Sequence, residues 1–146
     1  MYEITILHLS DVHFKREKDK TFRGDVVKNK MIDAIARHMN KDHVEPDFVA
    51  ITGDIAFSGQ ENEYDEAEAF FKTLKEVLQG KSVFLAVPGN HDVDRDKIRK
   101  SVSLHQAVQN QRTEAFLTSK EEIALFINPK FKAFKTFVKK LNPGLY

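Results

Sequence analysis

Ser82-Val83-Phe84-Leu85-Ala86-Val87-Pro88-Gly89-Asn90-His91-Asp92 opens as a short apolar run and closes in polar groups. Its first six residues have the length and β-branched content of a buried strand, and Pro88-Gly89 stops it. The same arrangement occurs twice upstream. Residues 3–10 (Glu-Ile-Thr-Ile-Leu-His-Leu-Ser) lead into Asp11-Val12-His13, and 47–52 (Asp-Phe-Val-Ala-Ile-Thr) lead into Gly53-Asp54. Between the first two strands, Val27, Met31, Ile35 and Met39 form an i, i+4 ladder within a helix over 25 to 41. Between the second and third, Tyr64, Ala67, Phe71, Leu74 and Leu78 form another stripe, with Gly80 suited to the helix C′ position. Strands alternating with helices imply βαβ units, a largely parallel sheet and an α/β fold. In open α/β sheets the ligand edge is the C-terminal end of the strands, so the three polar strings collect on one edge.

With 41% hydrophobic and 31% charged residues in 146, the chain has the composition of one ordinary globular domain rather than a disordered one. The net charge of +1 gives no electrostatic case for nucleic acid or an anionic membrane surface. Without cysteine, neither disulfides nor thiolate metal sites can form. The N-terminus runs into a strand-like segment with no basic region ahead of it, and no apolar run spans a bilayer; the expectation is a cytoplasmic protein.

After Asp94 no strand is evident, and 95–142 reads as two or three helices, broken at Asn128-Pro129 and stopped at Asn142-Pro143-Gly144. The last, over 129–141, carries Phe131, Phe134, Phe137, Val138 and Leu141 with five lysines around them. A helix packed on a neighbour is the expectation; a membrane-surface helix is the alternative. The segment from Phe14 to Gly24 is dense in charge.

The polar strings supply carboxylates, imidazoles and a carboxamide, a donor set suited to Mn, Fe or Zn and to phosphate-ester chemistry. Asp11 and His13 are two apart, so in extended chain they share a side and can grip one metal. The alternative is a solvated strand end with a capping Asp. Asp54 has two carboxylate oxygens and can bridge two cations, or it can be a turn residue, since Gly-Asp is common in turns. The string Gly89-Asn90-His91-Asp92 can likewise be a polar turn. Of the other histidines, His8 is expected packed or supporting, His38 at a helix end, His43 in a linker, and His105 in the helical region.

Asp11-x-His13, Gly53-Asp54 and Gly89-Asn90-His91-Asp92, in this order, resemble the first three motifs of the calcineurin-like metallophosphoesterases. The wider wording of residues 7–14 and 87–95 is similar to bacterial members near the cyclic-nucleotide phosphodiesterase branch. The resemblance is close over 3–95 and looser beyond. It implies the first half of a layered α/β/β/α metallophosphoesterase fold, with 1–95 as the βαβαβ N-terminal half and 96–146 as a helical insert-like segment. It implies hydrolysis of a phosphoester, a diester above all and a cyclic nucleotide among the candidates, by in-line attack of a metal-bound hydroxide. Two divalent or trivalent ions (Mn, Fe or Zn) would be held by Asp11, His13, Asp54 as the bridge, and Asn90. His91 would face the substrate, stabilise the phosphorus centre and protonate the leaving oxygen. Asp92 would hold the His91 ring in orientation.

The chain departs from the family pattern in one respect. Complete members carry an isolated later His and a terminal Gly-His-x-His, whereas only His105 follows His91 here. The expectation is therefore an N-terminal half with an incomplete site, doubtful activity in isolation, and a sheet edge left exposed where a missing C-terminal half would pack, an edge whose apolar face favours homo-oligomers. A nuclease of the same superfamily and a non-catalytic interaction domain are the alternatives.

Overall fold

The computed structural model describes residues 3–15, 24–99, 106, 109–110 and 113–144. In chain order these form β1 (Ile6–Leu9), α1 (Gly24–Asp42), β2 (Phe48–Thr52), α2 (Glu61–Val77), β3 (Val83–Val87), α3 (Arg95–Arg99), α4 (Thr113–Thr118), α5 (Lys120–Ile127) and α6 (Lys132–Leu141). The sheet is parallel throughout, in the order β1-β2-β3. Leu9 lies beside Ile51 and Ile51 beside Ala86, so the three strands end level and their exits leave from one edge. The mixed α/β architecture with a parallel sheet matches the fold class read from the sequence.

One face of the sheet is packed. Leu9, Val49, Ile51 and Phe84 are buried there with Leu7 and Ala86 beside them, joined to Phe70, Phe71 and Leu74 of α2 and Phe137 and Leu141 of α6 in a single core. Rings link the layers: Phe71 lies 6.3 Å from Phe84 and 5.8 Å from Phe137, and Phe14 lies 5.4 Å from Phe70. Each such buried side chain contributes about 1.5–3 kcal/mol relative to exposure, so α6 is a structural member of this core. Its lysines stay outward, as the Lys140–Glu68 pair at 2.8 Å shows, and the helix is the packed one expected.

The opposite face leaves Ile4, Ile6, Val83, Leu85 and Val87 exposed. His8 shares it, exposed and with Nε2 2.6 Å from the Thr52 hydroxyl, so of its two expected roles, packed or supporting, the packed one is not found. Strand alternation places His8 with Ile6, and this whole side of β1 is uncovered.

The α1 ladder also differs from expectation. Met31, Ile35 and Met39 pack on the core, but Val27 is exposed and Ile32 takes a buried position. A strict four-residue spacing advances about 40° per step around a 3.6-residue helix, so four rungs spiral off one face. The left-handed turn after α2 uses Gln79 (φ 55) as well as Gly80 (φ 69). The helix over 129–141 begins at Lys132, because 128–131 form turns after α5. Residues 16–23 of the charged segment, and His105, lie outside the described residues. Among the described residues no helix is long and apolar enough to cross a membrane.

Candidate metal centre

Beyond the ends of β1 and β2 the two chains stay zipped together. Asp11 N–H donates to the Gly53 carbonyl (3.3 Å), His13 N–H to that of Asp54 (3.0 Å) and Phe14 N–H to that of Ile55 (2.7 Å). Phe57 N–H closes the run on the Phe14 carbonyl at 3.1 Å, and Phe14 and Ala56 make an isolated parallel bridge, both fully buried. Within this ribbon three non-glycine residues have left-handed backbone: Asp11 (φ 56), His13 (φ 52) and Asp54 (φ 52). Such conformations are uncommon outside glycine and persist where the surroundings over-determine them, which is characteristic of functional sites. All three belong to the motifs singled out from the sequence.

The third loop closes on the ribbon back to back. Gly53, at φ 92, has the Gly89 backbone 2.9 Å from where a Cβ would stand; a Cβ on Gly89 would lie 2.2 Å from Asp54 Oδ1. Only glycine at both places lets the loops approach this far. Asp54 Oδ1 then accepts the His91 N–H at 2.9 Å.

Below them sits Asp92, fully buried. Its carboxylate accepts the N–H groups of Ile55 (3.2 Å), Ala56 (2.8 Å) and Gly89 (2.9 Å) and the Tyr64 hydroxyl (2.8 Å). Burial, and then the Asp92 charge beside it, push the Tyr64 phenol above its ordinary range, so it remains a donor. Asp92 thus ties the Gly53 loop, the Gly89 loop and α2 at one anion. The expected contact with the His91 ring is not made, and this corrects the sequence reading. His91 Nδ1 instead meets the Phe57 carbonyl at 2.6 Å. A carbonyl only accepts, so Nδ1 carries a proton and Nε2 is the ring nitrogen left for other work.

His13, Asp54 and His91 form a group able to hold a metal ion, with one donor atom from each within 4.8 Å of the others. The two imidazoles meet edge to face, with centroids 4.7 Å apart. His13 Nδ1 is buried and has no hydrogen-bond partner among the described residues, a costly state for a polar nitrogen and a fitting one for a metal ligand. The Asp11 carboxylate lies outside this group and takes the Ser10 hydroxyl. Asn90 is exposed on the third loop. The structure therefore gathers His13, Asp54 and His91 and leaves the Asp11 carboxylate outside that group. Sequence reasoning missed Phe57 and the second task of Tyr64. A buried tyrosine in a helix stripe needs a partner for its hydroxyl, and that was the available signal.

The family model for calcineurin-like phosphoesterases matches residues 4–139. An uncharacterized metallophosphoesterase-like protein of Bacillus subtilis is 32% identical over 97 residues, 66% of this chain and 19% of that protein. A glycerophosphodiester phosphodiesterase of Enterobacter lignolyticus is 31% identical over 87 residues, 60% of this chain and 29% of its own length. A cAMP/cGMP dual specificity phosphodiesterase of Mycobacterium tuberculosis is 29% identical over 98 residues, 67% and 30% respectively. The chain thus spans 19% to 30% of the lengths of these curated relatives. Matched along nearly all of its length, with its three motifs folded onto one sheet edge, the chain belongs to the calcineurin-like phosphoesterase family.

Proposed function

We propose that this chain carries part of the active site of a metal-dependent phosphodiesterase. The observation that supports it most is the convergence of His13, Asp54 and His91, together with a buried His13 Nδ1 that has no hydrogen-bond partner among the described residues. In this reading His13, Asp54, Asp11 and Asn90 would hold two divalent ions such as Mn, Fe or Zn, with Asp54 serving both. When bound, the ions supply Lewis acidity toward the phosphoryl group. The protein's own part is to place charge and protons. Asp54 presents an anion whose position is fixed by the His91 N–H. His91, fixed through Nδ1 on the Phe57 carbonyl, offers Nε2 to a phosphoryl oxygen or the leaving oxygen.

His91 as a substrate-facing group, rather than a ligand, is tested by metal affinity. His91→Ala is expected to keep the Mn²⁺ affinity of the parent chain by calorimetry. A loss parallel to that of His13→Ala would make His91 a metal ligand and overturn the assignment.

The four donors named above underfill a two-ion site. The second ion has only Asp54 and Asn90 in this scheme, and tight binding takes more. Hydrolysis of a chromogenic phosphodiester by the chain with Mn²⁺ is accordingly expected near background. Robust turnover that disappears in His91→Ala would contradict this and point to a site completed between copies.

A further inference from the structure

Of the phenylalanines whose burial is described, Phe57 alone is exposed: 41%, against 7% or less for Phe14, Phe70, Phe71, Phe84, Phe134 and Phe137. Its backbone is nevertheless fixed at both polar groups, N–H on Phe14 and carbonyl under His91. The ring is thereby held at the rim of the metal group, its centroid 5.5 Å from that of His91 and 6.1 Å from that of His13. The residue is 41% exposed, and among the described residues the Lys15 ammonium stands 3.6 Å from the ring centroid. A solvated cation on an exposed ring is a weak contact, and a nucleobase stacking on an aromatic side chain is a stronger one. The base would therefore displace the ammonium, which stays two residues from His13 and near the negative charge of a phosphate held there.

We propose that Phe57 is a specificity-determining residue whose ring stacks on the base of a nucleotide phosphodiester, the cyclic nucleotides being the class that fits, with Lys15 as the group the base displaces. The inference rests on the phosphodiesterase reading above for the position of the phosphate. It adds what the metal group alone lacks, a means of telling a diester that bears an aromatic group from an aliphatic one.

Binding, which needs no turnover, tests it on the full 146-residue chain with Mn²⁺. The chain has no tryptophan, so Phe57→Trp creates a single indole reporter at the site. Its emission is expected to be quenched by cyclic AMP and not by diethyl phosphate. By calorimetry, Phe57→Ala is expected to weaken cyclic AMP about tenfold or more, and to lower its preference over diethyl phosphate by the same factor. Equal weakening of both ligands, no weakening of either, or no binding of cyclic AMP would each overturn the proposal. Mn²⁺-dependent binding of diethyl phosphate alongside unchanged cyclic AMP affinity in Phe57→Ala would sink this inference and leave the phosphodiesterase reading standing. Binding of cyclic AMP that depends on position 57 but not on Mn²⁺ would do the reverse.

Discussion

Asp54→Ala is expected to weaken Mn²⁺ binding on the order of 100-fold or more, beyond the 10–100-fold typical of losing a group that merely supports a ligand. Asn90→Ala is expected to cost far less. The difference follows from role: Asp54 lies in the three-residue group and offers a carboxylate to both ions in the proposed scheme, whereas Asn90 is an exposed residue that offers one neutral amide oxygen. A third variant separates ligand loss from loop collapse. Asn tolerates left-handed backbone well, so Asp54→Asn keeps the φ of 52 and an oxygen for the His91 N–H, yet surrenders the charge. Loss of metal in Asp54→Asn with an unchanged melting temperature would establish the carboxylate as the donor. Should Asn90→Ala weaken Mn²⁺ more than Asp54→Ala, Asp54 would lose its bridging assignment.

Asp92→Ala is expected to destabilise the metal-free protein by about 4 kcal/mol. Hydrogen bonds to a charged group contribute roughly 1.5–3 kcal/mol each, and orphaned buried donors cost about 1–3 kcal/mol each, with neighbours far from additive. The Ala56, Gly89 and Tyr64 donors at 2.8–2.9 Å all lose their acceptor at once. Tyr64→Phe removes one of these bonds and should cost roughly 1.5–3 kcal/mol. Urea unfolding without metal measures both, and the double variant should lose less than the sum because the partners are shared. An Asp92→Ala loss below about 1 kcal/mol, the size of one ordinary hydrogen bond, would show that the carboxylate is not the tie between the loops and α2.

Much of this was legible beforehand for physical reasons that can be named. The apolar runs before Asp11, Gly53 and Gly89 are short and stop at polar or glycine residues, so strand ends and their common edge could be read directly. Parallel register then brings His13 and Asp54 together without further information. What was not legible depends on partners that a sequence does not display. The buried face of β1 is decided by what packs on it, and His8 lies on the uncovered side. His91 is fixed by a backbone carbonyl, and Asp92 by backbone N–H groups; neither type of partner leaves a side-chain signature. Asp92 stands beside His91 in the sequence, but its carboxylate is occupied by three backbone N–H groups and the Tyr64 hydroxyl.

The hydrogen-bonded ribbon formed by residues 11–14 and 53–57 bears on how a metal would arrive. Ligands on slack loops must surrender torsional freedom at the moment of capture, at roughly 1–2 kcal/mol per residue fixed. Here that ordering is complete once the chain has folded, and the unfavourable backbone at Asp11, His13 and Asp54 is charged to the folding equilibrium. The entropy of association is then governed by shedding water from the ion and from the imidazole rather than by organising the polypeptide.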